Sequence, residues 1–303
     1  MRADLHVHSN ASDGTDAPAE VMRRAARAGL DVVALTDHDT VAGHAEAREA
    51  LPDGLTLMPG MELSCRLESP RGESERSEVR GVPGGSSPRG QQSLHLLAYL
   101  FDPDDPQLAE ETRRIRDDRV LRARAMVARL ADLGAPVTWD QVAAIAGTAV
   151  VGRPHIARAM ASAGVVATPA EAFTSDWIAD GGRAYVAKYA LDPVYAISLI
   201  RAAGGVAVLA HPRAGRDWAV SDPQIAALAA AGLAGIEVFH PDHPPAQRAA
   251  LLSLARDLDL VATGGSDDHG SLTGHRIGCE TAPPGAYEAL LAQATGDRSV
   301  RRG

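Results

Sequence analysis

Apolar residues along the chain fall into two alternating rhythms. Short β-rich runs occur at 4-DLHVH-8, 31-DVVALTD-37, 55-LTLMPGMELS-64, 94-LHLLAYL-100, 205-GVAVLAH-211, 235-GIEVFH-240 and 260-LVATGGSD-267, and they predict strands. Between them, 17-APAEVMRRAARAG-29 carries apolar residues at helical spacing and ends in Gly29, a normal helix stop. Segments 41–51, 193–203, 222–231 and 244–257 read as further helices. Strands alternating with helices predict βα units and a parallel sheet or barrel.

Two regions break this rhythm. Residues 66–92 are low in apolar content and rich in Gly, Pro, Ser and charge. Such a segment buries too little surface to offset its ordering entropy, so a flexible insertion is expected there. Residues 106–182 read as helical throughout, with 108-LAEETRRIRDDRVLRARAMVARLADLG-134 long, charged and amphipathic. The expected organisation is a barrel from residues 1–105 and 183–303, interrupted by a helical insert subdomain at 106–182. No internal repeat is present.

Composition narrows the functional classes. A chain of 303 residues suits one α/β barrel with an insert. A net charge of −9 argues against a broad grip on long nucleic acid. It does not exclude a small phosphorylated substrate, because a buried metal cluster brings its own positive charge. Cys65 and Cys279 form no disulfide framework and read as small buried residues of a reducing compartment. No run approaches the ~20 apolar residues of a membrane span, and no signal-peptide core is evident. A soluble cytoplasmic protein without a membrane partner is expected; the oligomeric state is not legible.

The eleven histidines are not scattered. His6 and His8 end the first predicted strand, His38 the second, His211 the fifth and His240 the sixth, while His269 follows the last. His95 sits less tidily, at the start of its run. In parallel α/β barrels the chemistry gathers where strands end and the βα loops converge. Side chains alternate along a strand, so His6 and His8 share a face, as do Asp267 and His269. Glu62 adds a carboxylate at another strand end. One strand-end histidine is ordinarily a satisfied polar residue. Five or six strands ending independently in His or acid, in a chain poor in His, point instead to a shared metal site.

The motifs HxH with Asp13, 36-TDHD-39, 60-GMELS-64, 94-LHLLAY-99, 210-AHP-212, 236-IEVFHPDH-243 and 265-GSDDHG-270 resemble those of the PHP (polymerase and histidinol phosphatase) superfamily of metal-dependent phosphoesterases. The helical insert with 152-GRPHIAR-158 is similar to the branch acting on nucleoside 3′,5′-bisphosphates and on the 5′ ends of short RNA. The resemblance implies a distorted (β/α)7 TIM-like barrel holding two or three divalent ions in its mouth. By motif, one ion takes His6, His8, Glu62 and Asp267, and a second takes Asp13, His38 and His269. A third shares Glu62 with His95 and His211. His155, His240 and His243 match positions lining the pocket, and Asp37 is expected to orient a histidine ligand. His44 and His275 are left to the surface.

A centre of this kind supports phosphate ester hydrolysis by attack of metal-activated hydroxide on phosphorus. Mixed His and carboxylate ligands suit Mn²⁺, Zn²⁺ or Fe²⁺ better than an all-oxygen site does. His240 or His243 is the candidate donor of a proton to the leaving alkoxide. Arg153 and His155 are candidates to clamp a second phosphate, with Arg183, Lys188 and Arg213 as further substrate contacts. The expected enzyme is a phosphoric ester hydrolase acting on a small nucleotide or short 5′-phosphorylated RNA. A histidinol-phosphate phosphatase would share the ligands but leave the helical insert without a purpose. A non-catalytic PHP module often loses ligands, and this chain keeps all of them. An amidohydrolase with a similar barrel mouth is a more distant alternative, without a visible substrate signature.

Overall fold

A computed structural model of the chain describes residues 1–68, 91–147, 151–214, 219–296 and 301–302. It divides into two compact units, one of Met1–Cys65, Leu94–Arg113 and Leu191–Gly303, the other of Arg66–Ser93 and Arg114–Ala190. Of the insertion expected at 66–92, residues 66–68 and 91–92 continue strands, and 69–90 lie outside the described residues.

The first unit is a nearly closed barrel. Its strands are β1 Ala3–Val7, β2 Val32–Leu35, β3 Thr56–Glu68, β4 Gln91–Tyr99, β5 Val206–Leu209, β6 Gly235–Phe239 and β7 Val261–Gly264, neighbours in chain order. A two-residue β8, Arg301–Arg302, pairs antiparallel with β3. Past β7 the chain returns to β1: the His8 N–H donates to the Asp268 carbonyl at 2.9 Å, and the Asp267 N–H to that of His6 at 2.8 Å. The α/β barrel expected from the alternating rhythm is therefore present, with one reversal in it. The pairs β1–β2, β2–β3, β5–β6 and β6–β7 are parallel, but β4 runs antiparallel to β5, with Leu96 opposite Leu209 and Tyr99 opposite Val206. The start of β4 thus lies where the other strands end, and this explains His95. Its carbonyl accepts the Ala210 N–H at 3.1 Å, beside His211.

Apolar residues fill the barrel below the mouth: Ala3 and Leu5 pack with Val32, Ala34, Met58, Leu97, Tyr99 and Val208. The Tyr99 hydroxyl donates to the Leu5 carbonyl at 2.6 Å, so the buried phenol is satisfied. An outer layer sets Val33, Leu35 and Leu57 against Val21, Met22 and Ala25 of α1, Pro18–Arg27. Burying Val21 or Met22 contributes about 1.5–3 kcal/mol each. Val7 belongs to this outer layer although Leu5 belongs to the inner one. Strict alternation forbids that, and the register shift between Asp4 and Val7 accounts for it. Beyond the shift, His6 and His8 face inward. Gly265 gives them room, because a Cβ there would lie 2.4 Å from that of His6.

The outer helices are α1, α2 His44–Glu49, α6 Pro193–Ala202, α7 Asp222–Ala230, α8 Pro245–Asp257 and α9 Ala286–Gln293. His44, expected at the surface, is instead buried: its Nε2 lies 3.2 Å from the Leu35 carbonyl and 2.9 Å from that of Gly60, tying β2 to β3. Burial holds its pKa down, which keeps the ring neutral. Cys65 is buried as expected, but Cys279 is exposed.

The segment expected to be helical throughout is not. It holds α3 Pro106–Asp132, α4 Trp139–Ala146 and α5 Arg153–Ser162, then a single 3-10 turn at Pro169–Ala172, with turns and extended chain beyond. Gly164, Gly181 and Gly182 punctuate that stretch, and Gly182 has no room for a Cβ, which would lie 2.6 Å from the Trp177 carbonyl. The second unit has its own core of Met126, Leu130, Val142, Ile156, Met160 and Ile178. Among the described residues no helix is long and apolar enough to cross a membrane.

Candidate metal centre

Four side chains converge in the barrel mouth: His6 and His8 at the end of β1, Asp267 past the end of β7, and Glu62 from within β3, which runs on beyond the strand end expected at residue 64. His6 Nε2 and His8 Nε2 are 3.1 Å apart. Glu62 Oε2 lies 3.3 and 3.1 Å from them, and Asp267 Oδ1 lies 3.4 Å from each. These five separations of 3.1–3.4 Å are the spacing of ligand atoms that each lie about 2.0 Å from one cation, the bond length of Zn²⁺ and similar cations to nitrogen and oxygen. Two imidazole nitrogens this close need a proton or a shared cation between their lone pairs. His6, His8 and Glu62 are all buried.

Two further groups adjoin the first. Asp13 Oδ1 lies 3.3 Å from His269 Nε2 and 3.8 Å from His8 Nδ1, and Asp13 Oδ2 lies 3.7 Å from His38 Nε2. Glu62 Oε1 lies 2.7 Å from His95 Nδ1 and 3.0 Å from His211 Nε2, while Glu62 Oε2 is 3.2 Å from His38 Nδ1. Within the limits of metal coordination, His6, His8, Glu62 and Asp267 form one set, His8, Asp13, His38 and His269 a second, and His38, Glu62 and His95 a third. His8 Nδ1 and His38 Nδ1 are buried without a hydrogen bond, though carboxylate oxygens stand nearby. Buried polar atoms of this kind call for an ion. The donor set therefore fits divalent cations of the borderline class.

The electrostatics match. Burial opposes ionisation of Glu62, yet His38, His95 and His6 hold it well below the usual carboxylate range. Asp13 and Asp267 are held down likewise by their histidines. Burial also opposes charge on His269, but Asp13 and Asp267 overcome it and push the imidazole up to about 10. His6 is raised against burial by Glu237, Glu62 and Asp267, and His8 and His211 chiefly by Glu62 and Asp267. His38 is the exception, because burial takes it down to about 3. In the ion-free protein, protons do the work of counter-ions, and cations must displace them.

Glu237 is a residue the motif reading passes over. Its Oε1 lies 3.0 Å from His6 Nδ1, and its Oε2 accepts the His211 N–H at 2.8 Å, so it turns the His6 Nε2 toward the cluster. The signal was available: an acid enclosed by Ile236 and Val238 in an apolar strand needs a buried partner. Asp37 differs from expectation. It orients no histidine but accepts the Ser9 N–H at 2.8 Å, the Ser9 hydroxyl at 2.7 Å and the Ser12 hydroxyl at 2.7 Å, pinning the loop that carries Asp13.

His240 and His243 have separate positions. His240 Nδ1 accepts the Asp242 N–H at 3.1 Å, which leaves the proton on Nε2, 3.3 Å from Asp267 Oδ2. His243 is taken up by the main chain on both sides, with Nδ1 3.0 Å from the Val238 carbonyl and Nε2 accepting the Arg213 N–H at 3.2 Å. Arg213 points its guanidinium at Asp222 and at Gln247, 3.2 Å away. Arg153, His155, Arg183 and Lys188 belong to the helical unit. There Arg153 pairs with Asp180 at 2.6 Å, and His155 Nδ1 accepts the Gly152 N–H at 3.0 Å, capping α5.

Comparison with known proteins agrees with this picture. The PHP domain family matches residues 4–112. The chain is 32% identical to a 5′-3′ exoribonuclease of Haemophilus influenzae, over 88% of this chain and 89% of that one. It is also 32% identical to a 3′,5′-nucleoside bisphosphate phosphatase of Chromobacterium violaceum, over 93% and 92%. A Bifidobacterium adolescentis protein whose crystal structure carries the description metal-dependent phosphoesterase superposes with a TM-score of 0.81. It is 33% identical, with 97% of this chain and 96% of that chain covered.

Proposed function

The chain belongs to the PHP family of metal-dependent phosphoesterases and is a phosphoric ester hydrolase, and from that premise we propose that it removes phosphate from a nucleoside 3′,5′-bisphosphate or cleaves the 5′ end of a short RNA. The observation that carries the proposal is the convergence of His6, His8, Glu62 and Asp267 within coordination distance of one cation, beside Asp13, His38 and His269. The names of the two relatives above supply the substrate class.

In this reading His6, His8, Glu62 and Asp267 hold one cation and Asp13, His38 and His269 the next, with His95 and His211 able to complete a third around Glu62. Bound divalent cations neutralise phosphoryl oxygens and acidify water. The side chains do the rest. Glu237 keeps His6 in the ligating tautomer. His240, with its proton on Nε2, donates a hydrogen bond that stabilises the leaving alkoxide. His243 and Arg213 are better suited to shaping the turn behind His240, because their polar groups are already engaged. Arg153, His155, Arg183 and Lys188 are assigned to the non-reacting phosphate and the nucleotide.

The test is phosphate release from nucleoside 3′,5′-bisphosphates, histidinol phosphate and short 5′-phosphorylated RNAs, each with Mn²⁺, Zn²⁺ or Fe²⁺. The proposal expects turnover of bisphosphate or RNA that stops on chelation. Preferential hydrolysis of histidinol phosphate, or none with any metal, counts against it. Arg153→Ala should raise KM for the bisphosphate about tenfold or more while leaving bound metal unchanged.

A further inference from the structure

Asp13 and His269, which face one another across the second ligand group, come from two loops far apart in sequence. Asp268, lying between the ligand candidates Asp267 and His269, points the other way and uses both its oxygens. Oδ1 accepts the Thr273 hydroxyl at 3.1 Å and the Arg276 N–H at 2.5 Å, and Oδ2 accepts the Gly270 N–H at 3.1 Å. Oδ2 also receives Arg24 Nη1 at 3.2 Å, and the same Nη1 pairs with Asp16 Oδ2. Asp16 closes the other loop, its carbonyl accepting the Asn10 N–H at 2.8 Å, and His275 Nδ1 stands 3.6 Å from its carboxylate. Arg24 and Asp268 are 14% and 1% exposed, so solvent screens this contact little. Without the guanidinium, two carboxylates would face each other across the junction of the loops.

We propose that Arg24 is a positioning residue that sets the separation of Asp13 and His269, and with it the affinity of the ion they share, by clasping the carboxylates of Asp16 and Asp268. The proposal rests on the metal-centre reading above. It makes α1 part of the active site's scaffold although no residue of that helix belongs to a ligand group. The guanidinium touches two loops, so its loss should act on the loop-borne group and spare the ligands held by strands.

The experiment uses full-length protein stripped by chelation and titrated with Mn²⁺, free ion being read from its paramagnetic resonance signal. Wild type, Arg24→Ala, Arg24→Lys and Asp16→Asn are compared, with circular dichroism to confirm folding. Expected is a tenfold or greater weakening of one class of ion in Arg24→Ala, the tighter class changing less than threefold. Partial recovery is expected in Arg24→Lys, and the same selective loss in Asp16→Asn, where the Arg24–Asp268 pair persists. Should Arg24→Ala fail to fold, Asp16→Asn decides. Wild-type isotherms in folded variants, or equal weakening of both classes, overturn the proposal. Wild type taking up fewer than two ions overturns the metal-centre reading itself, and the clamp with it.

Discussion

The two neighbouring ligand groups are built differently. In the first, His6 and Glu62 lie within strands, His8 follows β1 directly, and Asp267, three residues past β7, is tied to β1 by its N–H donating to the His6 carbonyl. In the second, Asp13 and His269 stand on loops that share one backbone bond, Thr15 N–H to the His269 carbonyl at 3.2 Å, and side chains add much of the fixing: Asp37 grips Ser9 and Ser12, and Arg24 joins Asp16 to Asp268. A strand-borne ligand inherits its position from the sheet. A loop-borne ligand needs anchors of its own, and those anchors are polar, local and individually removable. The first group should therefore fail only when a ligand is lost, and the second should also fail by loss of residues that touch no ion.

The largest expected effect falls where the groups meet. Glu62 faces His6, His8, His38, His95 and His211, so Glu62→Gln should weaken the first and third ion positions most, the second through His38, and lower phosphate release by at least about 10³-fold, as loss of a central electrostatic group does. Metal content after dialysis against Mn²⁺ checks this, and one ion retained at wild-type affinity would contradict it. Asp13→Ala should be narrower. It should weaken one ion more than tenfold and leave the other in place; equal loss of both would undo the division between strand and loop.

The groups should also differ in how protons compete with cations. His6 and His8 are both raised by their carboxylates, whereas in the second group His269 sits near 10 and His38 near 3. At neutral pH the first group should shed more protons than the second to take an ion, because both its imidazoles are raised while His38 of the second is held down. Affinity for both rises with pH, more steeply at the first. Calorimetric titration in buffers of different ionisation enthalpy counts those protons, and equal counts would sink the distinction. In the ion-free protein His269, raised above its unfolded value near 6.5, contributes stability fully present below that pH and lost as pH rises through about 10.

The strands were legible because alternation and β-branched runs are local properties, and so were strand-end histidines. What could not be read depends on strand direction or on long-range partners. His95 looked misplaced because nothing local reveals that β4 is reversed. The Ser, Asn and Gly of 9-SNASDG-14 carry no local signal of order, yet Asp37 and three turn hydrogen bonds to Ser9 and Asp16 pin the loop. His44 and Asp37 were misread for the same reason: a buried polar residue is defined by what it faces, and His44 faces two strand carbonyls. Glu237 was overlooked although its apolar flanks marked it.

The smallest effects give the sharpest test of the contrast, because they compare one supporting carboxylate on each side. Glu237→Gln keeps an oxygen for the His211 N–H or for His6 Nδ1, and the strands still hold both rings in place. Its cost to the first ion should be about tenfold or less, the lower end for residues that orient ligands. Asp37→Asn removes the charge that draws two hydroxyls and an N–H together at the root of the Asp13 loop, and no ladder takes its place. Its cost to the second ion should exceed that of Glu237→Gln to the first, approaching a hundredfold, although Asp37 lies one residue from His38 in a buried site. Mn²⁺ isotherms for the two variants side by side decide the matter. If Glu237→Gln proves the more damaging, strand support is not what secures the first ion.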